Sequence, residues 1–318
     1  MKKVFALVLV LMLVLCCTAA AEDAVRVASL KGPTSMGLVK LMNDDENGAA
    51  AQDYEFTLSG TADEIVPLLT RGELDIALIP CNLASILYNN THKISILNIN
   101  TLGVLYVVEN GNEIESVEDL RGKTVYSTGK GTTPEFALNF ILNGNGIDPE
   151  ADLTIEYKSE AAEVLSALLS DNAAVAVLPQ PYVTAALAQN EELRIALSLT
   201  EEWEKADPDS GLITGVTVVN NDFLAANPEA VKTFTEEQAA SAAYVNEHND
   251  EAAEWIAALG IVAKAPLAQK ALPFCNIVCL GGDEMKAKVG GYLSALYEMN
   301  PASVGGALPA DDIFSSIE

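Results

Sequence analysis

The residues best suited to hold a small ligand fall into two sets with matching spacing. Lys31, Thr34 and Ser35 lie in the turn of Val25–Met42 (VRVASLKGPTSMGLVKLM). That stretch reads as an alternating strand Val25–Leu30, a turn Lys31–Ser35 and an amphipathic helix starting near Met36. A strand entering a helix through such a turn leaves the first N–H groups of the helix unpaired beyond the strand end, where they suit an oxyanion or a carboxylate. Thr128, Lys130, Thr132 and Thr133 occupy a second copy, Val125–Phe136 (VYSTGKGTTPEF), with Lys130-Gly131-Thr132-Thr133 where the first has Lys31-Gly32-Pro33-Thr34. The remaining candidates are Gly60, Thr61 and Asn82 from the first half, and Glu160, Gln180 and Tyr182 from the second. Most are neutral donors and acceptors at helix starts, each giving an anion about 0.3–1 kcal/mol when exposed and more when enclosed. Every hydroxyl here also has a use as a helix cap, and the two lysines as solvated surface. Glu160 repels an anion unless it pairs with Lys130 or receives an amine on the ligand.

The elements that position these residues repeat. Lys31 and Lys130, Gly60 and Ser159, and Pro80 and Pro179 share one offset of 99 residues. Ile65–Pro80 and Val164–Pro179 both read helix, turn, buried strand, proline. Shorter periods mark solenoids, whereas this one describes two copies of an α/β unit, the two lobes of one protein. Strands Val25–Leu30, Tyr54–Leu58 and Asp75–Ile79 build lobe one, and Thr124–Ser127, Leu153–Tyr157 and Ala174–Leu178 build lobe two. Strands alternating with helices predict parallel sheets covered on both faces. Asn100–Val108 and Leu212–Val219 read as longer apolar strands at which the chain passes between lobes. The expected division is 22–102 for lobe one, 103–214 for lobe two and 215–318 for the return. The return reads as helices Pro228–Glu247, Asn249–Leu259, Pro266–Ala271 and Asp283–Tyr297, with a strand Phe274–Leu280. Such a chain has its cleft at the strand C-termini, closed by hinge motion.

Composition narrows the function. The 318 residues are 50% hydrophobic and 20% charged, enough for a full core, and the net charge of −27 disfavours nucleic acid and anionic membrane as partners. Met1–Ala21 has the three parts of an export signal: Lys2-Lys3, the apolar run Val4–Cys17, and an A-x-A site before Glu22. The run is short for a membrane span of about 20 residues. Cleavage after Ala21 is expected, with a lipid anchor at Cys16 or Cys17 as the alternative. The other cysteines are Cys81, Cys275 and Cys279. Cys275 and Cys279, four apart on a strand, lie about 13 Å from each other and cannot bridge. Either is open to pairing with Cys81, the other reading being small buried residues. His92 and His248 are too few and too scattered for a metal site, and no Cys-x-x-Cys or His-Glu-x-x-His occurs. No cofactor is expected. Gly122-Lys123-Thr124 lacks the upstream glycine of a phosphate-binding loop, and there is no Gly-x-Ser-x-Gly turn.

Several stretches resemble the solute-binding proteins of ABC importers with the type 2 periplasmic-binding-protein fold, in the nitrate/sulfonate/taurine and thiamine-pyrimidine-precursor branch. They are Lys31–Gly37, Gly72–Pro80 (GELDIALIP), Asn100–Tyr106, Ser116–Thr124 (SVEDLRGKT), Gly129–Pro134, Cys275–Val278 and Gly305–Pro309. The resemblance covers nearly all of the chain after the leader and specifies architecture rather than ligand. It implies an α/β protein of two lobes, two sheets flanked by helices with two crossover strands, holding an anionic or zwitterionic organic solute in its cleft loops. Its implied partners are that solute and the permease and ATPase subunits of the importer, with the protein itself a monomer and not an enzyme. Two rival readings stand beside it. A fold-related enzyme of the chorismate-dehydrating or thiamine-pyrimidine synthase type sits poorly with an export signal, and the synthase resemblance implies clustered cysteines and a histidine that these loops lack. The second is an extracellular sensory or docking module.

Overall fold

A computed structural model of the protein describes residues 24–170 and 175–315. The leader Met1–Ala21, with Cys16 and Cys17, lies outside the described residues. Eleven strands are described: β1 (Val25–Leu30), β2 (Tyr54–Ser59), β3 (Ile76–Pro80), β4 (Ile94–Leu102), β5 (Leu105–Asn110), β6 (Thr124–Thr128), β7 (Thr154–Lys158), β8 (Val175–Pro179), β9 (Leu193–Ser198), β10 (Ile213–Asn220) and β11 (Ile277–Leu280). They form a six-stranded sheet, β11-β4-β10-β3-β1-β2, and a five-stranded sheet, β7-β6-β8-β5-β9.

The two sheets carry out the repeat. β2-β1-β3 pair in parallel and are followed by β10 running antiparallel; β7-β6-β8 pair in parallel and are followed by β5 running antiparallel. Each half thus borrows its antiparallel strand from the chain's passage to or from the other. The expectation of purely parallel sheets is corrected on this point. The parallel strands are apolar on both faces, with Val27, Ala28, Ile76 and Ala77 fully buried, because helices cover both sides.

Other expectations need correction too. Asn100–Val108 is not one strand: β4 ends at Leu102 in one sheet and β5 begins at Leu105 in the other. The strand expected over Phe274–Leu280 shrinks to β11, since Asn276 has φ 46° and breaks the extended run. The first helix is split into Pro33–Met36 and Val39–Glu46 around Gly37. A Cβ on Gly37 would stand 2.9 Å from Ile277, so the interruption lets the segment lie against β11. Among the described residues β9 and the first half of β4 are strands that the pattern reading left out.

No disulfide links the cysteines: Cys81 and Cys275 are buried free thiols and Cys279 is half-buried. Cys275 sits in the turn before β11 rather than on it. Burial disfavours the thiolate and raises all three, Cys275 to about 12 and Cys279 to about 11, with Cys81 displaced furthest. The expected result is that a disulfide-exchange reagent at about pH 8 releases almost no colour from native protein over minutes, and full reaction of Cys81, Cys275 and Cys279 follows denaturation. A fast-reacting thiol in the native state would contradict this packing.

Candidate functional site

The loops that the spacing selects gather at one place. Pro80 at the end of β3 is paired with Gly215 in β10, and Pro179 at the end of β8 is paired with Leu105 at the start of β5. The amide of Gln180 donates to the carbonyl of Val104 at 3.0 Å. The C-terminal ends of the parallel strands in both sheets therefore adjoin the crossovers, and the two loop sets meet there.

The crossovers are clamped together. The carbonyl of Gly103 accepts from Thr200 Oγ1 at 2.9 Å and from Asn276 Nδ2 at 2.6 Å, so one oxygen joins the first crossover, the helix Leu199–Ala206 and the turn before β11. Tyr106 in β5 donates its hydroxyl to the Phe274 carbonyl at 2.7 Å, and the two rings meet edge to face at 6.2 Å. Burial pushes the Tyr106 hydroxyl up to about 12. On another side, Thr133 Oγ1 lies 3.4 Å from the hydroxyl of Tyr292, bringing the start of the helix Thr133–Gly144 against the helix Gly282–Met299.

The candidates divide by what their side chains already touch. Ser35 Oγ donates to the Gly32 carbonyl at 3.1 Å, Thr132 Oγ1 to the Gly129 carbonyl at 2.6 Å, and Asn82 Nδ2 to the Ser303 carbonyl at 3.3 Å. These three tie their own loops or the C-terminal segment, and none caps a helix in the usual way. Gly129 and Gly131 both have positive φ, 70° and 77°, which a β-carbon would resist, and this is what folds Thr128–Thr133 into a tight loop. Thr34 is buried against Gly215, whereas Thr61 and Gly60 are exposed at the end of β2 and Thr128 is half-buried at the end of β6. The hydroxyls of Thr34, Thr61 and Thr128 make no hydrogen bond among the described residues. Lys31 is exposed; Lys130 is exposed with its ammonium 5.7 Å from the centre of the Tyr157 ring. Glu160 is exposed at the end of β7, and Tyr182 opens the helix Tyr182–Gln189 with 39% of its surface exposed.

Gln180 differs from all of these. It is 3% exposed, and its Oε1 accepts from Thr184 Oγ1 at 2.8 Å and from the Thr184 amide at 3.3 Å. An amide N–H can only donate, so this fixes which end of the side chain faces Thr184. Nε2 is left buried with no acceptor. An unmet buried donor costs about 1–3 kcal/mol, which an acceptor brought to it would recover.

Sequence reasoning passed over Asn276 and Phe274 as contacts, and they lie where the halves touch. The asparagine in a left-handed position was their one local signal. The four arginines stand away from the loops, at the opposite strand ends: Arg26 pairs with Asp75 and Arg71 with Glu73, each at 2.5 Å, Arg121 with Glu118 and Asp152, and Arg194 with the buried Glu109. Two concavities also lie elsewhere. One of about 1550 Å³ surrounds the start of β1 near Asp53 and Pro228, and one of about 460 Å³ runs between Leu293 and Leu308. Among the described residues no three metal-ligating side chains come together, and no helix is long and apolar enough to cross a membrane.

Comparison with known proteins gives these relations a context. Residues 47–258 match the family model described as the periplasmic substrate-binding protein of a phosphonate ABC transporter. No curated protein matches the chain. Among solved structures, an ABC transporter protein of Parabacteroides distasonis is similar at TM-score 0.77 and 24% identity, covering 93% of this chain and 100% of that one. The periplasmic aliphatic sulphonate binding protein of Escherichia coli is similar at TM-score 0.69 and 15% identity, covering 92% and 100%. The alkanesulfonate-binding protein of Xanthomonas axonopodis pv. citri, bound to MOPS, is similar at 0.64 and 14%, covering 93% and 99%. At these identities the solved structures speak for the fold.

Proposed function

This chain belongs to the periplasmic substrate-binding proteins of phosphonate ABC transporters, and from that premise we infer that it captures a small organic oxyanion, anionic or zwitterionic, where its loops meet the crossovers. The family assigns it the substrate-binding role in an ABC transporter, working with the transporter's other components. The finer reading is that the two sheets close about the crossovers on a solute held by Thr34, Thr61, Thr128 and Gln180, with Lys31 and Lys130 as its cations. Ser35, Gly60, Asn82, Thr132, Thr133, Glu160 and Tyr182 complete the candidate loops. Further parts of the reading are export with cleavage after Ala21, a monomeric state, and binding without catalysis.

The observation that carries it is Gln180 Nε2, a buried donor without an acceptor in a loop beside the crossover. Support comes from the neutral hydroxyls around it, which suit recognition by hydrogen bonds, and from the four arginines being paired elsewhere. The test is calorimetric titration of the purified protein with short alkyl sulfonates, alkyl phosphonates, carboxylates and amino acids. Gln180→Leu is expected to weaken the tightest ligand at least about tenfold, a loss of roughly 1.4 kcal/mol. Equal affinity in the variant would remove Gln180 from the site. No binding across the panel would overturn the organic-oxyanion reading.

A further inference from the structure

The cleft loops of the five-stranded half hold carboxylates of their own. The amide of Gly131 donates to Glu135 Oε2 at 2.5 Å, and the amide of Ser159 donates to Glu163 Oε2 at 2.9 Å. The two helix starts that the spacing offers to an anion are thus already engaged by anions of the chain. Glu160 stands exposed beside the second of them. Lys130 is drawn to the Tyr157 ring, Lys158 pairs with Glu156 at 3.2 Å, and Lys31 stands alone on the other half. No arginine reaches these loops, so the bidentate fork that best receives a doubly charged oxyanion is missing from them. What remains for the head group is neutral: the Gln180 amide and the threonine hydroxyls. Neutral donors saturate the lone pairs of an oxyanion but leave a second negative charge unbalanced near three carboxylates.

Resting on the solute-binding reading above, we propose that the cleft selects an organic solute whose head group bears one negative charge, as a sulfonate does, and discriminates against the doubly ionised form of a phosphonate. This departs from what the family description alone suggests. It also has a clean pH signature. The second ionisation of an alkyl phosphonate falls in the neutral range, whereas a sulfonate stays singly charged throughout. The protein's two histidines are remote from the loops: His92 caps the helix Cys81–Thr91 beside the start of β4, and His248 is stacked on Tyr244 at 4.0 Å. The charged groups facing the site are Glu135, Glu160, Glu163, Lys31, Lys130 and Lys158, so a pH dependence across the neutral range reports the ligand.

Ethanesulfonate and ethylphosphonate, alike in their carbon chains, are the probes for calorimetric titration at about pH 6 and about pH 8.5. Ethanesulfonate is expected to bind with the same affinity at both, and ethylphosphonate to weaken at least about tenfold at the higher pH. Glu135→Ala removes one carboxylate and frees the Gly131 amide. It is expected to tighten ethylphosphonate at the higher pH by about fivefold or more and to change ethanesulfonate by less than about twofold, the second result also showing that the variant is folded. Ethylphosphonate binding more tightly at about pH 8.5 than at about pH 6 would overturn the charge selection and leave the solute-binding reading intact. An unchanged ethylphosphonate affinity in Glu135→Ala would overturn the part assigned to the loop carboxylates. Failure of both probes to bind at either pH would take down the organic-oxyanion reading and this inference with it.

Discussion

Trp203→Ala is expected to lower the unfolding free energy by about 3–5 kcal/mol, the range for truncating a large aromatic in a packed core. Trp203 is fully buried. Its ring stacks on Phe140 at 3.9 Å and leans on Tyr292 at 5.6 Å, and its indole N–H donates to Ser210 Oγ at 2.7 Å. These neighbours come from three directions: the helix Thr133–Gly144 of the five-stranded half, the helix Gly282–Met299 that packs on the six-stranded half, and the link leading into β10. Deleting the ring removes the filling between them, and the rigid sheets on either side limit how far the space can collapse. Trp203→Phe keeps most of the apolar area and loses the hydrogen bond, so its cost should stay near 1 kcal/mol. Urea unfolding followed by far-ultraviolet circular dichroism measures both, since the alanine variant loses one of the two tryptophans. A loss below about 1 kcal/mol for Trp203→Ala would mean that the second crossover is not packed as described.

The repeat was legible because its evidence is local. Alternating or continuous apolar runs and the turn residues after them, spaced by 99 residues, reappear as β1–β3 and β6–β8 in the same spatial order. The crossovers were not legible in the same way. NTLGVLYVV is apolar throughout, and nothing in its composition says that the sheet changes within it. Only Gly103 marks the place, and the need for glycine there comes from Thr200 and Leu212, about a hundred residues away in sequence. Antiparallel β10 and β5 were likewise hidden, since strand direction is a property of the partner and not of the run.

The candidate site follows the same division. The loop residues could be selected from their type and spacing, yet which of their groups are free depends on contacts. Ser35, Asn82 and Thr132 spend their side chains on nearby or distant carbonyls, and Gln180 keeps an unmet donor only because Thr184 takes its oxygen. One contact was within reach of the sequence. Thr132-x-x-Glu135 has the spacing of a capping box, a sign that the glutamate turns back on the loop amides. Its equivalent, Glu163 on Ser159, lacks the Ser/Thr-x-x-Glu spacing and shows itself only in the fold.

The first crossover itself supplies the other large effect. A Cβ on Gly103 would lie 2.4 Å from Thr200 Oγ1 and 2.7 Å from the Leu212 side chain, both buried, so Gly103→Ala is expected to cost about 2–3 kcal/mol through overpacking. Thr200 cannot simply rotate away, because its hydroxyl donates to the Gly103 carbonyl, which Asn276 also clamps. Moving it would loosen the one point where both passages between the sheets are joined. Gly103→Ala should therefore be coupled to Thr200→Ala. Removing the hydroxyl alone costs about 1 kcal/mol for the hydrogen bond, but in the presence of the new methyl it relieves the closest clash. The double variant should recover about 1 kcal/mol relative to simple additivity, with the remainder held by Leu212. Additive losses in denaturant unfolding would show that the strain at Gly103 is relieved elsewhere. A coupled result would instead identify the contact between the two crossovers as the place where the halves of this protein are held in register.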